Sequence, residues 1–318
     1  MASSEVWLPI PATEIDGLPD AFEYRFWEGG EFPADPADCV LYTVPYMKGP
    51  VIAVEPLPHM PAVRVVQTLT AGVDHVAPAL ETMRPGVRLC NARGVHETST
   101  AELALTLILA SLRGLPDFLA DQVEGRWRPV IRPALADRNV LIVGYGAIGA
   151  AIEERLLPFE VARVDRVARR AREVGRGEVR ALSELPELLP HADVVVLTVP
   201  LTEETRGLVD AGFLSRMKDG ALLVNVARGG VVDTKALLAE TRAGRLLAAL
   251  DVTDPEPLPV GHPLWGTPGV IVTPHVGGPS SAFLPRAKRL LADQLRRFAD
   301  GEPLRNVVAV SGEPPSQG

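Results

Sequence analysis

The sequence predicts an α/β protein built from two doubly wound parallel-sheet domains, and three observations predict it. Short apolar runs alternate with helix-like stretches through the second half of the chain, the order that builds a parallel sheet with crossover helices. One of those runs, Val140–Val143, leads directly into the glycine-rich turn Gly144-Tyr-Gly-Ala-Ile-Gly149. A separate set of short strands occupies the first 95 residues, and a last strand-like run lies near the far end.

The glycine turn has the spacing G-x-G-x-x-G after a strand fit for burial on both faces and before an alanine-rich stretch that suits a helix. Gly144 permits the tight turn, Gly146 lets a pyrophosphate approach the backbone, and Gly149 lets helix and strand pack closely. The free N–H groups of the helix start, around Tyr145, Ala147 and Ile148, can hold phosphates. Asp165, about 20 positions on, suits the adenosine ribose hydroxyls. This reads as a Rossmann dinucleotide-binding domain. Turn and packing glycines in some other α/β domain are the alternative.

Composition sets the bounds. At 318 residues and 47% hydrophobic, the chain is comfortable for two domains with real cores. A net charge of −8 argues against nucleic acid as a partner. The two cysteines, Cys39 and Cys90, form no C-x-x-C pair, so neither a disulfide framework nor a metal site is expected, and a reducing, cytoplasmic setting is. The N-terminus lacks the basic start and apolar run of a signal peptide. The longest apolar helix-like run, Ala101–Leu112, is too short to span a membrane.

In chain order, Val40–Val44, Val51–Val54, Val63–Leu69 and Val87–Asn91 read as strands of a small α/β unit. Thr70-Ala-Gly-Val-Asp74 follows one of them, and its backbone N–H groups around Gly72 suit an anion; an ordinary turn fits equally. Ser99 and Glu102 have capping-box spacing and open a helix that is apolar on nearly every side as far as Gly114. Such a helix must be covered all round, between domains or between subunits. Gly114–Asp137, with Trp127 and several prolines, reads as an irregular excursion over a partner chain.

Strand-like runs then recur at Val140–Val143, Val161–Val164, Val194–Leu197, Ala221–Val226, Leu246–Leu250 and Val270–Val272, with helices such as Ile148–Leu157, Leu182–Leu189 and Thr234–Ala243 between them. Residues 281–300 form an amphipathic helix and Arg305–Val310 a final strand, which returns to the first domain. The expected division is 1–95 with 279–318 as a smaller, flavodoxin-like substrate domain and 96–278 as the dinucleotide-binding domain, joined by a two-crossing hinge.

Ligands of doubly wound sheets sit at the carboxyl ends of the strands. That rule selects Gly144, Asp165, Thr198–Pro200, Ala227–Arg228, Asp251 and Thr273–His275. Among them and their neighbours, Arg228 offers a planar guanidinium for a carboxylate or carbonyl oxygen. His275 is a proton donor near neutral pH, and Glu256 a carboxylate that raises its pKa. A nicotinamide enzyme needs this set, because hydride transfer to a ketone carbon leaves an alkoxide that must take a proton. Taken singly, a core histidine, a surface ion-pair arginine and a solvated loop glutamate account for the same residues.

Taken together, these stretches resemble the D-isomer-specific 2-hydroxyacid dehydrogenase family over nearly the whole chain. The matching segments are Thr70-Ala-Gly-Val-Asp74, Gly144–Gly149, Val199-Pro-Leu-Thr202, Asn225-Val-Ala-Arg-Gly-Gly230, Ala249-Leu-Asp-Val252, Glu256-Pro-Leu258, His262-Pro-Leu-Trp265 and Thr273-Pro-His-Val-Gly-Gly278. The resemblance implies that Arg228, Glu256 and His275 are the catalytic set and that Ala71 and Gly72 give N–H groups to the substrate carboxylate. It implies that Asp251 contacts the nicotinamide carboxamide and that Thr100, Val199, Pro200, Thr205, Val226, Ala227 and Gly277 line the coenzyme cleft. Tyr46 and Met47 occupy the loop that forms part of the substrate pocket in relatives. Pro279-Ser280-Ser281 stands where the family often has a threonine. The resemblance also implies a homodimer and closure of the two domains.

Asp165 favours NAD, because it binds a 2′-hydroxyl and repels a 2′-phosphate; Arg166, Arg169 and Arg170 favour NADP. NAD is expected. The expected partner is a small 2-keto or 2-hydroxy acid of the glyoxylate/hydroxypyruvate kind. The competing reading is a non-catalytic NAD-binding regulator of the co-repressor type; formate and phosphite dehydrogenases share the architecture, and Glu256 disfavours the formate enzymes.

Overall fold

In the computed structural model, which describes residues 4–313, the chain forms two α/β units. One runs to His96 and resumes at Ser281; the other is Glu97–Ser280. The strands are β1 (Glu5–Leu8), β2 (Glu23–Phe26), β3 (Cys39–Thr43), β4 (Val65–Gln67), β5 (Arg88–Cys90), β6 (Asn139–Val143), β7 (Arg163–Ala168), β8 (Arg172–Val174), β9 (Gly177–Ala181), β10 (Val194–Leu197), β11 (Leu222–Asn225), β12 (Leu247–Leu250), β13 (Val270–Val272) and β14 (Val307–Val310). The α-helices are α1 (Gly49–Val54), α2 (Glu97–Arg113), α3 (Leu115–Val123), α4 (Ala147–Leu156), α5 (Leu185–Leu188), α6 (Ala211–Arg216), α7 (Thr234–Arg242) and α8 (Phe283–Asp300).

The first unit holds a six-stranded sheet in the order β14-β5-β4-β3-β1-β2, parallel except for β14. The run Val51–Val54, expected as a strand, lies in helix α1. Gly49 turns the chain at φ +85° and Pro50 fills the first helical turn, where no N–H is required. Strands β1 and β2 escape the sequence reading because each is only four residues long and β2 carries polar residues on an edge. Helix α8 lays Ala287, Leu291, Ala292 and Leu295 on Val6, Leu8, Leu41 and Val65. Within that apolar layer Gln294 is buried and fully paired. It donates to Gln67 Oε1 at 2.8 Å and accepts from Arg305 N at 2.8 Å. Burial without such partners would cost about 1–3 kcal/mol per group.

The second unit holds an eight-stranded sheet in the order β13-β12-β11-β10-β6-β7-β9-β8. All neighbours are parallel except the β8–β9 hairpin, which the sequence reading did not contain. The central strand, β10, is Val-Val-Val-Leu and completely buried, as crossover helices on both faces require. Helix α2 begins at Glu97, so Ser99 lies inside it rather than capping it; its hydroxyl meets Ser280 Oγ at 2.5 Å. Gly114 ends α2 at φ +65°, and the expected irregular stretch instead opens with helix α3 before losing regular structure. Strand β7 runs Arg163–Ala168, several residues beyond the expected Val161–Val164, because Glu160 turns left-handed at φ +57° before it. The expected helix Leu182–Leu189 is broken into short turns around Pro186 and Pro190. Among the described residues no single helix is long and apolar enough to cross a membrane.

Candidate active site

The glycine turn sits where β6 meets α4. Gly144 has φ +106°, and a Cβ there would lie 2.5 Å from Val199 N and 2.6 Å from Thr198 C. Only glycine lets this turn pass the end of β10 so closely. The Thr198 hydroxyl completes the contact, donating to Gly144 O at 2.6 Å. A Cβ on Gly149 would meet Gly144 O at 2.8 Å, so this glycine serves helix–strand packing. Gly146 differs: a Cβ there would meet nothing within 4 Å. The protein itself has no need of a glycine at Gly146, whereas a phosphate brought against the backbone does. The N-terminus of α4 has no side-chain cap, leaving its first-turn N–H groups to a ligand. These residues fit a dinucleotide.

Two expected contributors to that site are placed elsewhere. Asp165 is not at the carboxyl end of its strand: it pairs with Leu141 in mid-sheet and is held by Arg163 at 2.5 Å. The strand end beside the glycines is Val167, whose carbonyl accepts from Gly144 N at 2.8 Å and Tyr145 N at 2.9 Å. Ala168, Arg169 and Arg170 follow it. Spacing from Gly144 placed the acid; the left-handed turn at Glu160 delays the strand and shifts the register. Arg166 is turned into the protein, where Nε donates to Glu153 at 2.8 Å. Tyr145 buries its ring among Ile142, Ile152 and Leu156, so only its backbone is available to a ligand.

Val199, Val226 and Ala227 are buried at the ends of β10 and β11, whereas Pro200 is exposed. The Thr205 hydroxyl is spent inside its own turn, donating to Pro200 O at 2.5 Å and accepting from Thr202 N at 2.8 Å.

Arg228, Glu256 and His275 come together at the ends of β11, β12 and β13. Asn225, buried, fixes the arginine turn by donating to Arg228 O at 3.0 Å and accepting from Ala227 N at 3.0 Å. Arg228 Nη1 donates to Ala227 O at 2.8 Å. A Cβ on Gly229 would lie 1.9 Å from Thr253 O, so this glycine lets the arginine turn press against the segment leading to Glu256. Glu256 Oε1 lies 2.6 Å from His275 Nδ1. That bond raises the imidazole pKa above its ordinary value against the opposing effect of burial, and it lowers the Glu256 carboxyl. The Arg228 charge acts on both groups, pulling Glu256 down and opposing protonation of His275.

His275 has φ +54°, a conformation costing roughly 1–2 kcal/mol for a residue with a Cβ. Buried Asp251 offsets it. His275 N donates to Asp251 O at 2.8 Å, Val276 N to Oδ1 at 2.8 Å and Gly277 N to Oδ2 at 2.8 Å. The Thr273 hydroxyl donates to Oδ1 at 2.6 Å, and Thr100 Oγ1 donates to Gly277 O at 3.2 Å. The strand-end rule selects Thr198 and Thr273 without giving either a role, and it passes over Asn225; small polar residues at strand ends are too common for the sequence to show what they do.

In the first unit, the turn after β4 has its carbonyls tied back. Thr70 O accepts from Ala92 N at 2.9 Å, Ala71 O from Asn91 Nδ2 at 2.9 Å and Gly72 O from Thr70 Oγ1 at 2.7 Å. Carbonyls held in this way leave the Ala71 and Gly72 amides facing the other way. Tyr46 stacks on Phe283 with ring centroids 4.1 Å apart, and Met47 is exposed at φ +58°.

The family model for the NAD-binding domain of the D-isomer-specific 2-hydroxyacid dehydrogenases matches residues 105–277. The glyoxylate reductase/hydroxypyruvate reductase of Homo sapiens is 35% identical over 248 residues, covering 76% of this chain and 75% of that protein. A D-isomer-specific 2-hydroxyacid dehydrogenase from Xanthobacter autotrophicus Py2, solved with NADPH and MES, superposes with a TM-score of 0.80 at 31% identity, over 97% of this chain and 98% of that one. The NADPH-dependent glyoxylate/hydroxypyruvate reductase of Sinorhizobium meliloti, solved with NADP and malonate, gives 0.79 at 27% identity, over 97% of each chain. The chain belongs to the D-isomer-specific 2-hydroxyacid dehydrogenase family and is an NAD(P)-dependent oxidoreductase.

Proposed function

We propose that this enzyme reduces a small 2-keto acid of the glyoxylate or hydroxypyruvate kind to the 2-hydroxy acid. The observation that carries the reading is the 2.6 Å bond from Glu256 to His275 Nδ1. It leaves Nε2, which carries no hydrogen bond among the described residues, to face a substrate. His275 gives the Nε2 proton to the alkoxide oxygen as it forms, and Glu256 stabilises the imidazolium that gives it. Arg228 binds the carboxylate and polarises the carbonyl. In the first unit, the Ala71 and Gly72 amides suit a carboxylate. Bound coenzyme supplies the hydride. The relatives named for glyoxylate and hydroxypyruvate support this substrate class.

The coenzyme is NADPH rather than NADH. Asp165 is withdrawn from the strand end, and Arg169 and Arg170 follow that end directly. An arginine there accommodates a 2′-phosphate.

The enzyme is a homodimer that works in the reducing cytoplasm. On α3, Leu115, Leu119 and Val123 form an exposed stripe at helical spacing, continued by Trp127 at 95% and Ile131 at 100% exposure. Apolar surface of this kind marks a protein contact. Both cysteines are free and buried, as a reducing compartment allows. Light scattering of Ile131→Asp tests the dimer, which must dissociate.

The deciding experiment is a screen of 2-keto acids of increasing chain length with both coenzymes, alongside His275→Ala. Oxidation of NADPH by glyoxylate or hydroxypyruvate, lost in His275→Ala with coenzyme binding kept, is expected. Tight coenzyme binding with no turnover on any acid would sink the reading.

A further inference from the structure

Beneath the glycine turn lies a buried charged cluster that the proposed chemistry does not use. Glu153, on α4, is 1% exposed. One of its oxygens accepts from the Tyr145 hydroxyl at 2.5 Å and from Arg166 Nε at 2.8 Å; the other is paired with Arg166 Nη2. The Arg166 guanidinium stands 5.8 Å from the centre of the Tyr145 ring. Tyr145 is the second residue of the glycine turn, and it is fixed at three further points. Its N–H donates to Val167 O at 2.9 Å, its carbonyl accepts from Arg172 Nη2, and its ring packs in the core of the second unit.

A carboxylate this deep is expensive unless paired. Two features show what its partners do. The cluster joins α4 and β7 to one residue of the turn, and β8 reaches the same residue through Arg172. It also turns Arg166 inward, away from the arginines that follow β7.

We propose that Glu153 is a positioning residue for coenzyme binding, clamping the glycine turn through Tyr145 so that its amides are ordered before the pyrophosphate arrives. Preorganisation of this kind raises affinity by removing the cost of ordering the loop at the moment of binding. Because the clamp acts on the part of the ligand common to both coenzymes, it affects NADPH and NADH by the same factor. The 2′-phosphate preference is left to Arg169 and Arg170. The inference rests on the glycine turn as the coenzyme site, and it does not depend on which acid is reduced.

The test is direct titration of the full-length protein with NADPH and with NADH, followed by fluorescence, and steady-state rates at saturating coenzyme. Tyr145→Phe keeps the ring and removes only the hydroxyl. It is expected to weaken both coenzymes about 5- to 10-fold, the lower part of the range that coupling between sites spans. The double variant Glu153→Leu with Arg166→Leu exchanges the buried pair for apolar residues, a change folding tolerates, and should show the same defect. Unchanged affinity in Tyr145→Phe, full affinity in the double variant, or a loss confined to NADPH would each overturn the proposal. Failure of the wild-type protein to bind either coenzyme would remove the site itself, and failure to turn over any acid while binding normally would bear on the substrate reading alone.

Discussion

The backbone N–H of His275 donates to the carbonyl of Asp251 at 2.8 Å, and the next two amides of the chain end on the Asp251 carboxylate. Three consecutive amides thus converge on one residue, and between them they hold His275 left-handed with its imidazole on Glu256. Asp251 therefore orients the histidine whether or not it also meets a nicotinamide carboxamide. In Asp251→Asn, an NH2 group replaces one acceptor and opposes a backbone donor. The kcat for keto-acid reduction should fall on the order of 100-fold, the cost of about 1 Å of misplacement. Thr273→Val keeps the carboxylate and loses one bond, so its loss should be smaller and NADPH affinity unchanged. Steady-state rates and NADPH titration check both; a defect of Asp251→Asn confined to coenzyme affinity would contradict the orienting role.

The pH dependence follows from the same histidine. Glu256 stabilises the imidazolium, so the folded-state pKa of His275 lies above its ordinary value. Reduction needs the protonated ring. The rate should be level at low pH and decline as pH rises through that raised pKa; oxidation of the hydroxy acid should show the reverse. Glu256→Gln removes the largest favourable contribution and should move the decline to lower pH. His275→Ala should lose about 100- to 10,000-fold, the usual worth of a positioned acid. Rate profiles over pH for the three proteins check this, and an unmoved decline in Glu256→Gln would count against the pair.

Gly229 makes the convergence of Arg228 and Glu256 possible. With a methyl group forced to 1.9 Å from Thr253 O, the arginine turn and the Glu256 segment must part. Gly229→Ala should lower stability by roughly 3 kcal/mol, the upper end of ordinary overpacking, and reduce activity with it. Urea unfolding midpoints and assays read the two effects. A fully stable, active variant would mean that the contact relaxes without consequence.

What the sequence made legible was whatever depends on local pattern. β10 announces itself as three valines and a leucine because burial on both faces permits nothing else. The strand-end rule selected Arg228 and His275 because parallel strands deliver the residues after them to one edge, and Glu256 was chosen for its place close after β12. Register was not legible. Val161–Val164 is the more apolar stretch, yet the left-handed Glu160 delays β7 until Arg163, and its end moves from Val164 to Ala168, so Asp165 no longer follows the strand. Helix α1 was hidden for a related reason: four apolar residues, Val51–Val54, fit a strand until Gly49 and Pro50 are seen to start a turn. The Asp251 bonds and the Glu153 cluster join residues 8 to 26 positions apart, and no local periodicity marks such pairings.

The same register bears on the coenzyme. Val167, not Asp165, stands beside the glycine turn, accepting from Gly144 N and Tyr145 N. A carboxylate at that point would repel a 2′-phosphate; here the chain instead continues into Arg169 and Arg170. NADPH should therefore bind more tightly than NADH. Replacing both arginines with alanine should weaken NADPH roughly 10- to 100-fold per bond lost, the worth of hydrogen bonds to a charged group, and leave NADH nearly unaffected. Asp165→Ser should change neither, because its carboxylate is engaged by Arg163, two residues back on the same strand. Parallel titrations of the wild type and both variants distinguish the cases, and tighter NADH binding that Asp165→Ser abolishes would return the role to the aspartate.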